Sequence, residues 1–271
     1  MQRPGEKGGL DIPCMENTAM KTQTIKTEFI GGAGHMLDAR LELPSGTPKA
    51  YAVACHCFTC TKDTITIFRI SRLLAEHGIA VLRFDFTGLG NSKGDFAHTN
   101  FTTDVADVHA AVKFLRDNYE APSLLIGHSL GGTAVLEAAM HIHSVQAVIT
   151  IASPSQPDHV LHHFGHALTM LEQGIASSIE VAGQHYDIEP QFLEDLHQYD
   201  MQQRLGALHK PVLIFKIMND ALVDSENADE ISAWAGGPSR IVTLDKADHL
   251  LSNKEDARFV AEEIAKWFEN L

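Results

Sequence analysis

The sequence predicts an α/β protein whose mostly parallel, doubly wound sheet is covered by helices on both faces. Three observations predict it. After residue 50, short apolar runs alternate with stretches of helical length and period. The connections between them are short, as strand–helix–strand crossovers require. The run Ala50 to His56 is apolar on both faces, which suits an interior strand.

Taken in order, Thr24 to Ile30 and Ala39 to Leu43 read as two strands joined by Gly31-Gly32-Ala33-Gly34, an antiparallel hairpin at a sheet edge. Ala50 to His56 is the third strand. Helix Thr64 to His77, strand Ile79 to Asp85, helix Thr103 to Tyr119 and strand Ser123 to Ile126 follow. In the second of these helices Val105, Val108, Val112 and Leu115 form one apolar stripe. A run suited to a helix, Thr133 to Met140, and strand Gln146 to Ala152 come next. Between Ser153 and Leu208 the rhythm breaks into a histidine-rich helix, a small hairpin (Ile179 to Ile188) and a helix around Phe192 to Tyr199. A break of this length is too long for an ordinary loop and reads as a lid. Strand Val212 to Ile217, helix Glu226 to Trp234, strand Arg240 to Leu244 and a closing helix Lys254 to Glu269 resume the pattern. In that last helix Phe259, Ala261, Ile264, Trp267 and Phe268 are the inward-facing candidates. The expected organisation is a core of residues 22–152 and 209–271, a lid over 153–208, and a disordered leader over 1–21.

Composition narrows the function classes. The chain of 271 residues is 44% hydrophobic and carries 21 Lys+Arg against 35 Asp+Glu, a formal charge of −14. So acidic a surface repels phosphate backbones and anionic lipid, which argues against nucleic-acid and membrane partners. No apolar run approaches the roughly 18–20 residues that span a bilayer. Met1 to Met20 lack the apolar core of a signal peptide, and Met15 and Met20 offer later starts, so the expected location is the cytoplasm. Of four cysteines, Cys55, Cys57 and Cys60 crowd one stretch and Cys14 lies in the leader, a poor disulfide framework for a chain of this size.

The chemistry is written around Leu125-Ile126-Gly127-His128-Ser129-Leu130-Gly131-Gly132, where a strand ends in Gly-x-Ser-x-Gly and a helix begins. A serine on so sharp a turn is a nucleophile elbow, its backbone strained and its flanking glycines small enough to let strand and helix approach. An acid and a histidine should then follow just past later strand ends. Asp220 follows Val212–Ile217 and His249 follows Arg240–Leu244, the order Ser, Asp, His. Asp224 and Asp248 are rivals for the acid. A serine hydroxyl needs a base within hydrogen-bond reach, and a carboxylate fixes that base's tautomer. The stretch His56-Cys57-Phe58-Thr59-Cys60 after the third strand nominates the Phe58 N–H, with that of Leu130, as oxyanion donors.

These stretches, with Leu82-Arg83-Phe84-Asp85-Phe86-Thr87-Gly88-Leu89-Gly90-Asn91-Ser92 and Ala247-Asp248-His249-Leu250-Leu251-Ser252, resemble the α/β-hydrolase superfamily. More narrowly they are similar to the hydrolase half of proteins fused to an OsmC-like peroxide-reducing domain. The resemblance implies an eight-stranded α/β-hydrolase fold, a lid after the sixth strand, and Ser129, Asp220 and His249 as the triad. The chain stops after the closing helix, so no OsmC-like half and none of its chemistry is expected.

Other signals read as structural. Cys55, Cys57, Cys60 and His56 lack metal-site spacing and suit small core residues and a turn. His159, His162, His163 and His166 could cluster on one helical face, but a polar lid helix with Leu161, Phe164 and Leu168 inward is the simpler reading. Asp85 with Gly88 and Gly90 is too little for a dinucleotide loop. No cofactor and no metal is therefore expected. His56, Cys57 and His128 flank the site, His128 as an elbow-packing residue, and Phe164, Leu168, Phe192 and Leu196 would close an apolar acyl pocket for a small-molecule ester. The expected activity is acyl-ester hydrolysis through an acyl-enzyme. The alternatives are peroxide-dependent chemistry on the same triad, or a non-catalytic sensor or partner of an OsmC-like protein. Composition leaves the oligomeric state open.

Overall fold

The computed structural model describes residues 22–271, so the expected leader over 1–21 lies outside the described residues. Alternating exposed and buried positions make β1 (Gln23–Ile30) and β2 (Met36–Leu43) a hairpin, with Gln23 opposite Leu43 and Ile30 opposite Met36. Then come β3 (Ala50–Cys55), α1 (Ile65–Glu76), β4 (Ile79–Phe84), α2 (Phe101–Asn118), β5 (Leu124–His128), α3 (Leu130–Ala139) and β6 (Ala147–Ile151). A segment of α4 (His166–Glu172), the hairpin β7 (Ser177–Val181) and β8 (Gln184–Ile188), α5 (Pro190–Leu196) and α6 (Met201–Ala207) precedes β9 (Val212–Ile217), α7 (Glu226–Trp234), β10 (Ser239–Leu244) and α8 (Lys254–Phe268).

The main sheet has eight strands in the order β1-β2-β4-β3-β5-β6-β9-β10. Only β1–β2 and β2–β4 pair antiparallel; every other pair is parallel. Because successive side chains of a strand point to opposite faces, each parallel strand feeds two cores. Ala52, Ala54, Leu124 and Ile126 pack against α1 and α8, while Val53, Cys55 and Leu125 pack against α2 and α3. This is the doubly wound α/β-hydrolase fold.

Two local expectations are corrected. The histidine-rich stretch is not one helix: a 3-10 turn over Pro157–His163 stops at Gly165, whose φ of +49° breaks the chain before α4. His166 therefore opens a new helix and does not continue the face of His159, His162 and His163. In α8 the buried stripe is Ala257, Val260, Ala261, Ile264 and Ala265, and Phe259 lies off it, 44% exposed. Among the described residues no helix is long and apolar enough to cross a membrane.

Candidate active site

The turn from β5 into α3 has an unusual backbone. Ser129 has φ +54° and ψ −129°, a region that residues with a side chain rarely visit and that costs on the order of 1–3 kcal/mol. The surroundings hold it there: its N–H donates to the Ile151 carbonyl of β6 at 2.9 Å, and its own carbonyl accepts from Gly132 at 2.8 Å. The glycine at 131 answers a close approach, since a Cβ there would stand 2.3 Å from the His56 carbonyl oxygen.

The loops beyond β9 and β10 bring the other two groups together. Asp220 accepts at Oδ2 from His249 Nδ1 at 2.7 Å, and at Oδ1 from the N–H groups of Leu222 and Val223. Burial alone would raise the Asp220 carboxyl, but the His249 contact and these N–H groups hold it below its ordinary range. Of its rivals, Asp248 spends its carboxylate on the N–H groups of Leu250 and Ser252, and Asp224 lines a small hollow behind the loop. With Nδ1 facing Asp220, the Nε2 of His249 is the nitrogen left for chemistry. His249 and Ser129 line the same cavity of about 200 Å³; no hydrogen bond joins their side chains among the described residues.

Between β3 and α1 the chain turns tightly at Cys57–Cys60, with the Cys60 N–H donating to the Cys57 carbonyl at 3.1 Å. The turn brings the two Cα atoms to 5.2 Å and a disulfide joins them. This corrects the expectation of unbridged cysteines; a C-x-x-C at a turn was the signal that could have found it. Cys55 is free and buried. Phe58, inside the ring, and Leu130, at the first position of α3, have N–H groups without a protein acceptor among the described residues.

Buried His56 holds the loop from below. The Phe86 N–H donates to its Nε2 at 3.2 Å, so Nδ1 carries the hydrogen and donates to the Cys57 carbonyl at 2.8 Å. Burial pushes its pKa down to about 4. From the other end Lys62, itself 1% exposed, donates to Asp85 at 2.7 Å and contacts Asp38 at 2.6 Å.

The cavity wall is only partly the expected one. Cys57 is in it, and Phe192 and His56 line a smaller void of about 10 Å³ behind Phe58. Phe164, Leu168 and Leu196 line neither. Phe164 stacks on the Phe58 ring at 6.2 Å, Leu196 is buried in the core, and Leu168 packs half-buried against it. His128 is likewise outside the wall, buried beneath His249. The side chains that do form the wall include Val160, His163, Val181 and Ala182 of the insertion and Leu222 and Val223 of the acid loop. His159 ties these two parts, donating from Nε2 to the Leu222 carbonyl at 2.9 Å. Asp104, on α2, was not singled out by spacing either; it lines the small void next to Phe58, Leu130 and Gly131. Among the described residues no group of three or more His, Cys, Asp or Glu is arranged to hold a metal ion.

The sequence model of the alpha/beta hydrolase family matches residues 52–269. The chain is similar to the mitochondrial palmitoyl-protein thioesterase ABHD10 of Rattus norvegicus, 29% identical over 192 residues, 66% of this chain and 62% of that protein. It thus spans less than two thirds of that relative's length. Among solved structures it is similar to the esterase domain of a Rhodothermus marinus protein, 40% identical, with a TM-score of 0.72 over 92% of this chain and 98% of that one. Est1E from Butyrivibrio proteoclasticus with ferulic acid bound, 21% identical with a TM-score of 0.74 over 89% and 98%, shares the fold.

Proposed function

Because this chain belongs to the alpha/beta hydrolase family, we propose that it is a serine hydrolase of carboxylic esters that works through an acyl-enzyme. The observation that carries the reading is the 2.7 Å hydrogen bond from His249 Nδ1 to Asp220, made where His249 shares a cavity with a strained Ser129.

In this scheme Ser129 Oγ attacks the acyl carbon while His249 Nε2 takes its proton. Asp220 fixes the tautomer and stabilises the imidazolium that forms. Charge on the carbonyl oxygen is met by the N–H groups of Phe58 and Leu130, each worth about 10²–10³ in rate. His249 protonates the leaving alcohol; a water, activated by the same imidazole, then frees the acid. The segment 153–208 acts as the lid, and its Val160, Val181 and Ala182 give the acyl group an apolar wall. The 40% identity to an esterase domain supports an ester over an amide.

The test is a fluorophosphonate probe with a panel of aryl esters of graded chain length. Labelling should fall on Ser129, and Ser129→Ala should lower kcat by on the order of 10⁴–10⁶ with the fold intact. Ester turnover that survives this substitution would end the proposal.

A further inference from the structure

The hydrolytic scheme uses the Phe58 N–H but gives no task to the two sulfurs on either side of it. We propose that Cys57 and Cys60 form a redox-active dithiol/disulfide site whose oxidation state sets the turnover of Ser129, an inference that rests on the hydrolase reading above. Its co-reactant is a small dithiol, or the corresponding disulfide, that reaches the pair through the active-site cavity.

Both cysteines line the same cavity as Ser129 and His249. Cys57 is buried at 6% exposure while Cys60 is partly accessible, so an entering thiolate meets Cys60 first. Cys55, the last residue of β3, is shut into the core and burial raises its thiol, which leaves it outside this chemistry.

Thr59, inside the bridged turn, has φ +56°, a left-handed backbone that a β-branched residue avoids. The bridge and the Cys60 N–H to Cys57 carbonyl bond hold it there. The Phe58 N–H lies in the Cys57–Phe58 peptide, whose carbonyl accepts from the Cys60 N–H, so the closed turn gives that N–H its direction. Two contacts hold the turn independently of the bridge, His56 Nδ1 donating to the Cys57 carbonyl and the Tyr186 hydroxyl to the Thr59 carbonyl at 3.0 Å, and Lys62 holds the chain beyond it. Opening the bridge therefore loosens one turn and leaves the fold in place.

The exchange balances without another reactant. A thiolate of the dithiol attacks Cys60 Sγ; the Cys57–Cys60 bond breaks and Cys57 leaves as a thiolate that takes up a proton. The second thiol of the reductant attacks its own sulfur in the mixed disulfide and releases Cys60, which is protonated in turn. Two electrons pass to the protein and the reductant departs as a disulfide; an incoming disulfide reverses each step. In the reduced form Thr59 relaxes, the Cys60 N–H no longer pins the Cys57 carbonyl, and the Phe58 N–H is held less closely. The rate should fall about tenfold, less than the 10²–10³ of a donor removed outright, because His56 and Tyr186 still hold the Cys57 and Thr59 carbonyls.

The experiment compares oxidised enzyme with enzyme reduced by dithiothreitol and freed of it without air, on one short-chain aryl ester. Alkylation and mass measurement report which cysteines are thiols. The expected result is a kcat about tenfold lower in the reduced form, KM within about twofold, unchanged thermal unfolding of the core and recovery on reoxidation. Cys60→Ser should sit at the lower kcat and ignore dithiothreitol; were it to misfold, the comparison on the unaltered chain still decides. Equal kcat with Cys57 and Cys60 both alkylated overturns the redox site and leaves the hydrolase reading standing. A pair that dithiothreitol cannot open in the folded protein overturns it as well. No turnover and no fluorophosphonate labelling of Ser129 in either form overturns both.

Discussion

The imidazole of His128 donates its Nε2 hydrogen to the backbone carbonyl of His249 at 2.7 Å, and the two rings lie 4.8 Å apart. The residue before the proposed nucleophile thus holds the backbone of the proposed base, across 121 positions of sequence. Since a carbonyl only accepts, the hydrogen is on Nε2, and Nδ1 is a buried nitrogen without a partner. Burial, with the neighbouring His249 next, pushes the His128 pKa down to about 3. A charged ring there is excluded across the ordinary pH range, which rules His128 out as a second base.

His128→Leu should remove the donor and orphan the His249 carbonyl, at a cost of about 1–3 kcal/mol of stability. Freed by even 1 Å, His249 should lose up to about 10² in kcat with KM nearly unchanged. His128→Gln, which can place an N–H near the same carbonyl, should recover part of the loss. Steady-state kinetics of the three proteins on one ester decide it; a Gln variant no better than Leu would show that the bond has no positioning role.

The buried neutral histidines also set acid stability. His56 and His128 have folded pKa values of about 4 and about 3 against an ordinary 6.5. Below 6.5 the unfolded chain takes up protons that the folded chain refuses. Their contribution is therefore complete above 6.5 and is lost as pH falls toward about 4 for His56 and about 3 for His128. Each should steepen the loss by up to about 1.4 kcal/mol per pH unit. Urea unfolding at pH 7, 6 and 5 should show the slope, and His128→Gln should lessen it by one histidine's share. The same slope in the variant would assign the acid sensitivity elsewhere.

Much of this was legible in the sequence, for a local reason. β9 and α7 fall on the residues expected, because each is a run whose periodicity names it. The elbow was legible because Gly127 and Gly131 are demanded by crowding within one turn. Asp220 could be placed after a strand end, but only three dimensions could separate it from Asp224 and Asp248. The pocket wall failed for a different reason. Whether Leu168 or Val181 faces Ser129 depends on how the chain turns at Gly165 and where the hairpin β7–β8 lies, and neither is encoded in the local period. Asp104 escaped because nothing in its own neighbourhood says that it ends beside Leu130.

Lys62 joins the fold to the site. It follows the bridged turn by two residues and is held between Asp38 and Asp85. Burial alone would lower its pKa, yet the two carboxylates hold it above the ordinary value. Lys62→Met keeps most of the volume and leaves the fully buried Asp85 carboxylate without its cation. A broken buried pair costs about 3–5 kcal/mol, so denaturant unfolding should fall by that amount. Because the loop end is released as well, kcat should drop more than KM changes. A variant as stable as the parent would mean that Asp85 is satisfied by the Lys62 and Asn91 backbone N–H groups alone.

Asp104 gives a prediction of opposite sign. Its carboxyl faces the small void beside Phe58 and Leu130 and has no ion pair or side-chain hydrogen bond among the described residues. Burial raises it well above its ordinary 3.8, and the charges of Asp107 and Asp195 raise it further. Here the folded chain keeps a proton that the unfolded chain has already released. The stability tied to that proton is complete below 3.8 and is lost as pH rises toward the raised value. Asp104→Asn has the same shape and never ionises. It should match the parent near pH 4 and become progressively more stable than the parent as pH rises to 8, read as urea midpoints across that range. A gain of equal size at both ends would trace the effect to packing and not to charge. No gain at pH 8 would mean that the ionised carboxylate finds a partner in the void.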